Sequence, residues 1–328
     1  MFRKNSARVR FIRLFAVTLA MLGLLAIVPS VASAAFPDKQ INYIISFNPG
    51  GESDVTARFQ QSLLEEALGT KIVITYKIGA DGAAGWSELV RAKPDGYTIA
   101  GHNIPHIILQ PMLRGNAGYE TADLKSIYLF ESTPNILVVR KDSQFKTLKD
   151  LIEYAKAHPG AVTVGGSGSD TANHLGVLEL NQEANIKLTY IPFTGSGAAV
   201  PALLGGNVTA LMTYSTSYIL QKDQFRALAI ASPKRFRVIS DVPTFRELGY
   251  DLVEGAYRGV AAPPGTPDSV MKILEKAFDK VTNNPELIDK MEKLGFVIET
   301  MGMEESTKFI QNRTTYYRKL LIEVGRLK

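Results

Sequence analysis

The chain predicts an α/β protein of two lobes, each built on a mostly parallel sheet. Three observations carry this. Strand and helix signals alternate through two separate blocks, and a glycine-rich loop of the same layout appears in each block. A cluster at Pro263-Pro264-Gly265-Thr266-Pro267 then ends the alternation and starts a helical tail. Short βα connections with helices of ordinary length imply parallel strands joined by right-handed crossovers.

The first 34 residues read as a secretory signal peptide. Arg3, Lys4, Arg8, Arg10 and Arg13 form a basic start, residues 14–31 are uncharged, and Ala32-Ser33-Ala34 is an A-x-A cleavage signal. A membrane anchor is the alternative, since such a stretch nearly spans a bilayer. Pro29 and the small residues after it favour cleavage, between Ala34 and Ala35. There is no arginine pair for a twin-arginine route and no cysteine for lipid attachment. The chain has 37 basic and 32 acidic residues, net +5, and the leader's five basic residues account for the excess. The balance that remains gives no case for nucleic acid or an anionic membrane surface. The lack of cysteine excludes disulfides, thiolate metal sites and cysteine nucleophiles. Cleavage after Ala34 leaves 294 residues, enough for two domains. The expected product is soluble and exported, periplasmic in a Gram-negative cell.

In the first block, residues 41–47 are a strand signal that stops at Asn48-Pro49-Gly50-Gly51. Residues 55–68 carry apolar side chains at helical spacing and end at Gly69. Residues 71–77 alternate as a strand, 79–85 (GADGAAG) form a loop and 86–92 a short helix. Pro94-Asp95-Gly96 is a turn into a third strand from residue 97. The second block repeats the plan. A helix at 147–158 stops at Pro159-Gly160, and a strand at 162–165 runs into the second glycine-rich loop. Then come a helix at 171–183, a strand at 187–193, a loop at 195–197 and a helix at 198–204. Strands at 208–214 and 226–231 complete the block. The extended runs 136–140 (ILVVR) and 257–262 (YRGVAA) flank it as two crossover strands. The lobes are then 35–137 joined with 258–328, and 138–257. The tail reads as helices at 268–283, 285–294 and 303–324 with no strand, packed back on the first lobe. Thr266-Pro267-Asp268 sets its start.

The doubled loop is the feature with chemistry. It aims free backbone N–H groups and the positive end of a helix at one place, which is an anion site. In the first loop, Phe47 and Asn48 lead into Gly50 and Gly51, which allow close backbone approach. Ser53 offers a hydroxyl, Asp54 a helix cap, and Glu52 a second acid whose plain role is solvation. The second loop offers Ser167, Gly168, Ser169, Asp170 and Thr171. Asp170 caps the helix or accepts from a ligand amine. Arg258 lies in an apolar run, where a charge is hard to bury unpaired. It either forks onto a ligand carboxylate or pairs with an internal acid. Tyr257 lines a cleft or packs the hinge, and His102 lines the cleft or lies at the surface. Thr213, Tyr214 and Ser215 end a strand where a ligand is expected, while Trp86 belongs to the core.

Other chemistries lack their signatures. His106, His158 and His174 have no metal spacing and no H-E-x-x-H occurs. There is no GxGxxG, no phosphate loop with Gly-Lys-Ser/Thr, and no G-x-S-x-G elbow. No metal, cofactor or enzymatic activity is expected.

Seven stretches together resemble a known family: 47–58 (FNPGGESDVTAR), 92–98 (AKPDGYT), 167–175 (SGSDTANHL), 193–208 (FTGSGAAVPALLGGNV), 226–231 (RALAIA), 241–249 (DVPTFRELG) and 262–267 (APPGTP). Each is weak alone, but in this order behind a signal peptide they resemble the periplasmic receptors of tripartite tricarboxylate transporters, the Bug or TctC-like receptors. The resemblance covers nearly all of the chain after the leader. It implies a Venus-flytrap fold of type II-like connectivity and capture of a small carboxylate: a di- or tricarboxylate, an aromatic acid or an acidic amino acid. It also implies delivery to two membrane subunits by a monomeric receptor. The family's two carboxylate-holding loops, which act partly through ordered waters, correspond here to residues 48–54 and 167–171. The chain departs from the family's usual residues at Asn48 (proline or alanine), Lys77-Ile78 (Arg-Pro), Asp170 (glycine) and Tyr257 (tryptophan). Asp170 and Arg258 stand where ligand contact is expected, so the ligand class is not inherited. Two further readings are a sensor that presents ligand to a signalling receptor and an exported α/β hydrolase.

Overall fold

β-Branched and aromatic runs become strands here, and most end at glycine, proline or a polar residue. The computed structural model describes residues 36–327, so the signal peptide at 1–34 lies outside the described residues. The elements below belong to the unit that begins at Lys39. The first block comprises β1 (Ile41–Ile45), α1 (Glu52–Leu68), β2 (Ile72–Tyr76), α2 (Ala83–Arg91), β3 (Thr98–Ile104) and α3 (His106–Leu113). A long strand β4 (Lys125–Arg140) leads to α4 (Leu148–Ala157), β5 (Thr163–Gly166), α5 (Ala172–Glu183), β6 (Thr189–Pro192) and α6 (Ser196–Leu204). The second block ends with β7 (Ala210–Tyr214), α7 (Ser215–Gln221) and β8 (Phe225–Ile230). The return strand β9 (Gly255–Ala262) precedes α8 (Asp268–Thr282), α9 (Pro285–Lys293), β10 (Val297–Met301) and α10 (Met303–Glu323).

The result is a two-lobed α/β fold. The strand order is β2-β1-β3-β9-β4-β7-β5-β6, with β8 and β10 also on β4. β1 is parallel to β2 and β3, and β5 is parallel to β6 and β7. β4 joins the two sets. Its residues from Lys125 to Pro134 pair antiparallel with β9, and those from Asn135 onward pair with β7 and then β8. At the exchange, the Asn135 N–H donates to the Glu254 carbonyl at 2.9 Å and the Ala231 N–H to the Asn135 carbonyl at 2.7 Å.

Three expectations change. β4 begins eleven residues before the expected run, because Glu131, Ser132 and Thr133, polar enough to read as a break, are buried and hydrogen-bonded within it. The tail is not purely helical, since β10 pairs antiparallel with β4. Helices α3 and α7 are also additional. α3 carries Pro111 inside it and α7 is only seven residues long, so neither shows a full helical period.

Two core clusters lie in the second lobe, one with Leu151, Val164, Leu180, Met212 and Phe245 among its buried members and one with Leu203, Leu211, Phe225 and Ile230. Another joins Trp86, Leu89 and Ile107 of the first lobe to Tyr317, Leu320 and Leu321 of α10. The helical tail is thereby fixed on the first lobe, as expected. The Trp86 indole N–H donates to the Gly101 carbonyl at 2.8 Å, which removes the cost of burying it. Among the described residues no helix is long and apolar enough to cross a membrane.

Candidate functional site

Asp54 organises the first loop from within. Gly50 turns the chain at φ 80°, where a side chain is strained, and its N–H donates to Asp54 Oδ2 at 2.7 Å. The Tyr76 hydroxyl donates to Oδ1 at 2.7 Å and Arg58 Nε lies 2.9 Å from the same oxygen. Burial alone would raise the Asp54 pKa. The bonds from Gly50, Tyr76 and Arg58 outweigh it and hold the carboxyl below its ordinary range. Gly51 is the N-cap of α1, and no side chain caps that end. Asn48 is exposed, while Phe47 packs edge-on against Trp86 and His106, with centroids 6.1 and 5.7 Å away.

Glu52 and Ser53 tie this loop to the sheet. Glu52 pairs with Arg258 of β9 and accepts from the Thr216 hydroxyl of α7. Ser53 Oγ accepts from Asn103 Nδ2 at 3.1 Å. Arg258 is 5% exposed, so its charge has to be met internally. Besides Glu52 it has Thr133 Oγ1 at 3.0 Å and Glu131 Oε1 at 3.6 Å. Glu131 is fully buried and accepts from Thr56 Oγ1 at 2.8 Å. Burial lifts its pKa to about 8, against the pull of Arg258 and Thr56. Of the two roles the sequence leaves open for Arg258, the structure displays the internal pairing.

Sheet register separates the remaining first-lobe candidates. Asn103 lies opposite Arg258, and His102 opposite Gly259. Successive side chains alternate faces, so His102 and Tyr257 lie on the face away from Arg258. His102 is 1% exposed, neither a surface residue nor on the Arg258 face, and burial lowers its pKa to about 4. Tyr257 packs on Phe309 with centroids 4.7 Å apart, and its hydroxyl accepts from Arg313 Nη2 at 3.2 Å. A cavity of about 440 Å³ opens beside it, lined in part by Arg313, Glu299 and Tyr316.

The second loop is built around Asn173. Ser167 donates to Asn173 Oδ1 through its N–H at 3.0 Å and its hydroxyl at 2.6 Å. Gly168 turns at φ 138°, and its carbonyl accepts from Thr171 Oγ1 and the Tyr190 hydroxyl at 3.0 and 2.7 Å. Ser169 is exposed. The N-cap of α5 is Thr171, whose Oγ1 accepts from the His174 N–H at 3.4 Å, and not Asp170 as expected. Asp170 adopts φ 58°, a left-handed conformation that Asp tolerates better than most residues, and this turns it off the helix end. It pairs with Arg326 at 2.6 Å instead. His174 stacks on Tyr190 at 4.4 Å; burial, then the Arg326 charge, lowers its pKa to about 4 against the pull of Asp170.

The loops meet at the end of β7. The Tyr214 hydroxyl lies 3.5 Å from Ser167 Oγ. Two residues on, Thr216 donates to Glu52, and Ser215 Oγ donates to the Gly295 carbonyl at 2.6 Å. Burial pushes the Tyr214 hydroxyl well above its ordinary pKa, so it stays a donor. Thr213 is buried and its Oγ1 has no partner. Two residues that sequence reasoning did not place here belong to this region. Asn103 follows His102 in the strand alternation, the one signal that would have found it. His106 lies in the joint field of Asp81, Arg258, Arg114 and Asp170, and burial lowers its pKa to about 4. Among the described residues no cluster of metal-ligating side chains occurs.

A family model described as "Tripartite tricarboxylate transporter family receptor" matches residues 56–326. A protein of Cupriavidus necator, "UPF0065 protein in gbd 5'region", is 29% identical over 310 residues, covering 94% of each chain. The solved "Structure of a periplasmic transporter" is 30% identical with a TM-score of 0.78, over 89% of this chain and 99% of that one. The "Structure of periplasmic binding protein BugD" is 28% identical with a TM-score of 0.76, over 89% of this chain and all of that one.

Proposed function

The chain belongs to the tripartite tricarboxylate transporter receptor family, and from that premise we propose that it captures a small carboxylate between its lobes and presents it to the membrane subunits of such a transporter. The carrying observation is the meeting of the two glycine-rich loops at the end of β7, where Tyr214 lies beside Ser167 and Thr216 donates to Glu52. The starts of α1 and α5 supply the N–H groups and positive helix ends that suit a carboxylate. Gly50, Gly51, Ser53, Ser167, Gly168 and Thr171 are its closest surroundings in this reading. Glu52, Asp54 and Arg258 shape the loop rather than neutralise the ligand. The receptor is exported, acts as a monomer and catalyses no reaction.

The lobes in this reading are 35–137 with 258–328, and 138–257. The partner exchange on β4 at Asn135 and the chain's return at Gly255 lie close to those limits and support them. The ligand closes the lobes about these crossings, and the closed form is the one the transporter engages.

A thermal-shift screen of the chain from Ala35 against mono-, di- and tricarboxylates, aromatic acids and acidic amino acids tests the reading. A true ligand at about a hundred times its Kd adds about 2.7 kcal/mol, a rise of about 2–4 °C for a chain of this size. Protein shown free of bound ligand by native mass spectrometry that answers to none of these would sink it.

A further inference from the structure

The charges around the two loops are already matched to one another. Arg258 pairs with Glu52 and stands 3.6 Å from Glu131. Arg326 pairs with Asp170 at 2.6 Å, and Arg114 with Asp81 at 2.5 Å. The cluster thus holds three arginines and four carboxylates, and every arginine in it has an acid beside it.

This balance discriminates between ligands. One carboxylate seated on backbone N–H groups at helix starts needs no side-chain cation. A second carboxylate leaving water does need one, because a buried ion without a partner is costly. Here it has to displace Glu52 from Arg258, Asp170 from Arg326 or Asp81 from Arg114, and it meets the like charge of the acid it displaces. Glu52 is also anchored on both sides, by Arg258 on β9 and Thr216 on α7, so it does not swing aside freely.

We propose that Glu52 is the selectivity residue of this receptor: by occupying Arg258 it restricts the ligand to one carboxylate with an uncharged remainder. Dicarboxylates of the same skeleton are rejected. This rests on the carboxylate-capture reading above and names the substrate class of that same site.

The test is calorimetric titration of the chain from Ala35 at fixed ionic strength with matched pairs: benzoate and terephthalate, hexanoate and adipate. Each singly charged carboxylate that binds is expected to do so at least about tenfold more tightly than its partner with the extra carboxylate. Glu52→Gln releases Arg258 and should erase or reverse that ratio. Glu52→Asp keeps the charge and should keep the preference, which a merely structural role for Glu52 does not predict. The wild-type comparison needs no variant, so a Glu52→Gln chain that fails to fold leaves the question decidable. Tighter wild-type binding of the dicarboxylate overturns the inference, as does a folded Glu52→Gln chain with an unchanged ratio. Failure of every carboxylate to bind overturns instead the capture reading beneath it.

Discussion

Two buried acids of the first lobe should move stability in opposite directions with pH. Asp54 accepts from Gly50, Tyr76 and Arg58, and its folded pKa is depressed. Its contribution is therefore complete above the unfolded value near 4 and is lost as pH falls through the folded one. Asp54→Ala leaves the Gly50 N–H and Tyr76 hydroxyl without their acceptor, at about 1–3 kcal/mol. Denaturant unfolding at a series of pH values should show that gap closing in acid, and a constant gap would disprove the brace. Glu131 is the reverse case, with a folded pKa raised to about 8. The stability it confers is complete below its unfolded value, 4.5, and falls away as pH rises through about 8. Glu131→Gln, which cannot ionise, should gain on the wild type across that window, and parallel curves would refute this. Single residues were only partly legible in the sequence. That Arg258 required a partner followed from its apolar run, but Glu52 lies 206 positions away and only the fold brings it there. On sequence alone Asp170 reads as the helix cap, but its left-handed backbone angle passes that role to Thr171.

Among the elements, β9 is the most constrained, lying between β3 and β4 at the joint of the lobes. A side chain at Gly259 would stand 2.5 Å from the Tyr128 carbonyl and 2.7 Å from His102 Nε2. The carbonyl belongs to the paired strand and cannot retreat without breaking the ladder. Gly259→Ala should cost about 1–3 kcal/mol, read as a lower denaturation midpoint, and an unchanged midpoint would mean that β9 has more room than the geometry allows. The chain's alternation revealed most strands and helices because each shows its own period over several residues. It did not reveal β10, where Val297–Met301 is half-buried almost throughout and shows no inward–outward alternation. It also cut β4 short, since a buried polar stretch reads as a break until its partners from α1 and β10 are known.

On the scale of the whole molecule, the tail does more than cover the first lobe. Arg326, just beyond α10, pairs with Asp170 of the second loop, and Gln182 of α5 donates to Glu323 of α10 at 2.9 Å. In the lobe division proposed here both contacts join the tail to the opposite lobe, so both exist only while the lobes are together. Each side chain of the Asp170–Arg326 pair is 32% exposed, which places its worth at no more than about 1 kcal/mol and makes it sensitive to salt. A closed form favoured by that amount holds ligand up to about fivefold more tightly than one without it. Arg326→Gln should therefore speed ligand dissociation by up to that factor with little change in association, because the pair forms as the lobes close. Raising the salt should speed dissociation from the wild type and leave the variant's rate nearly unmoved. Stopped-flow release measured at low and high salt separates the outcomes. Equal salt responses would mean that the pair survives opening, and that the tail moves with the second lobe rather than holding it to the first.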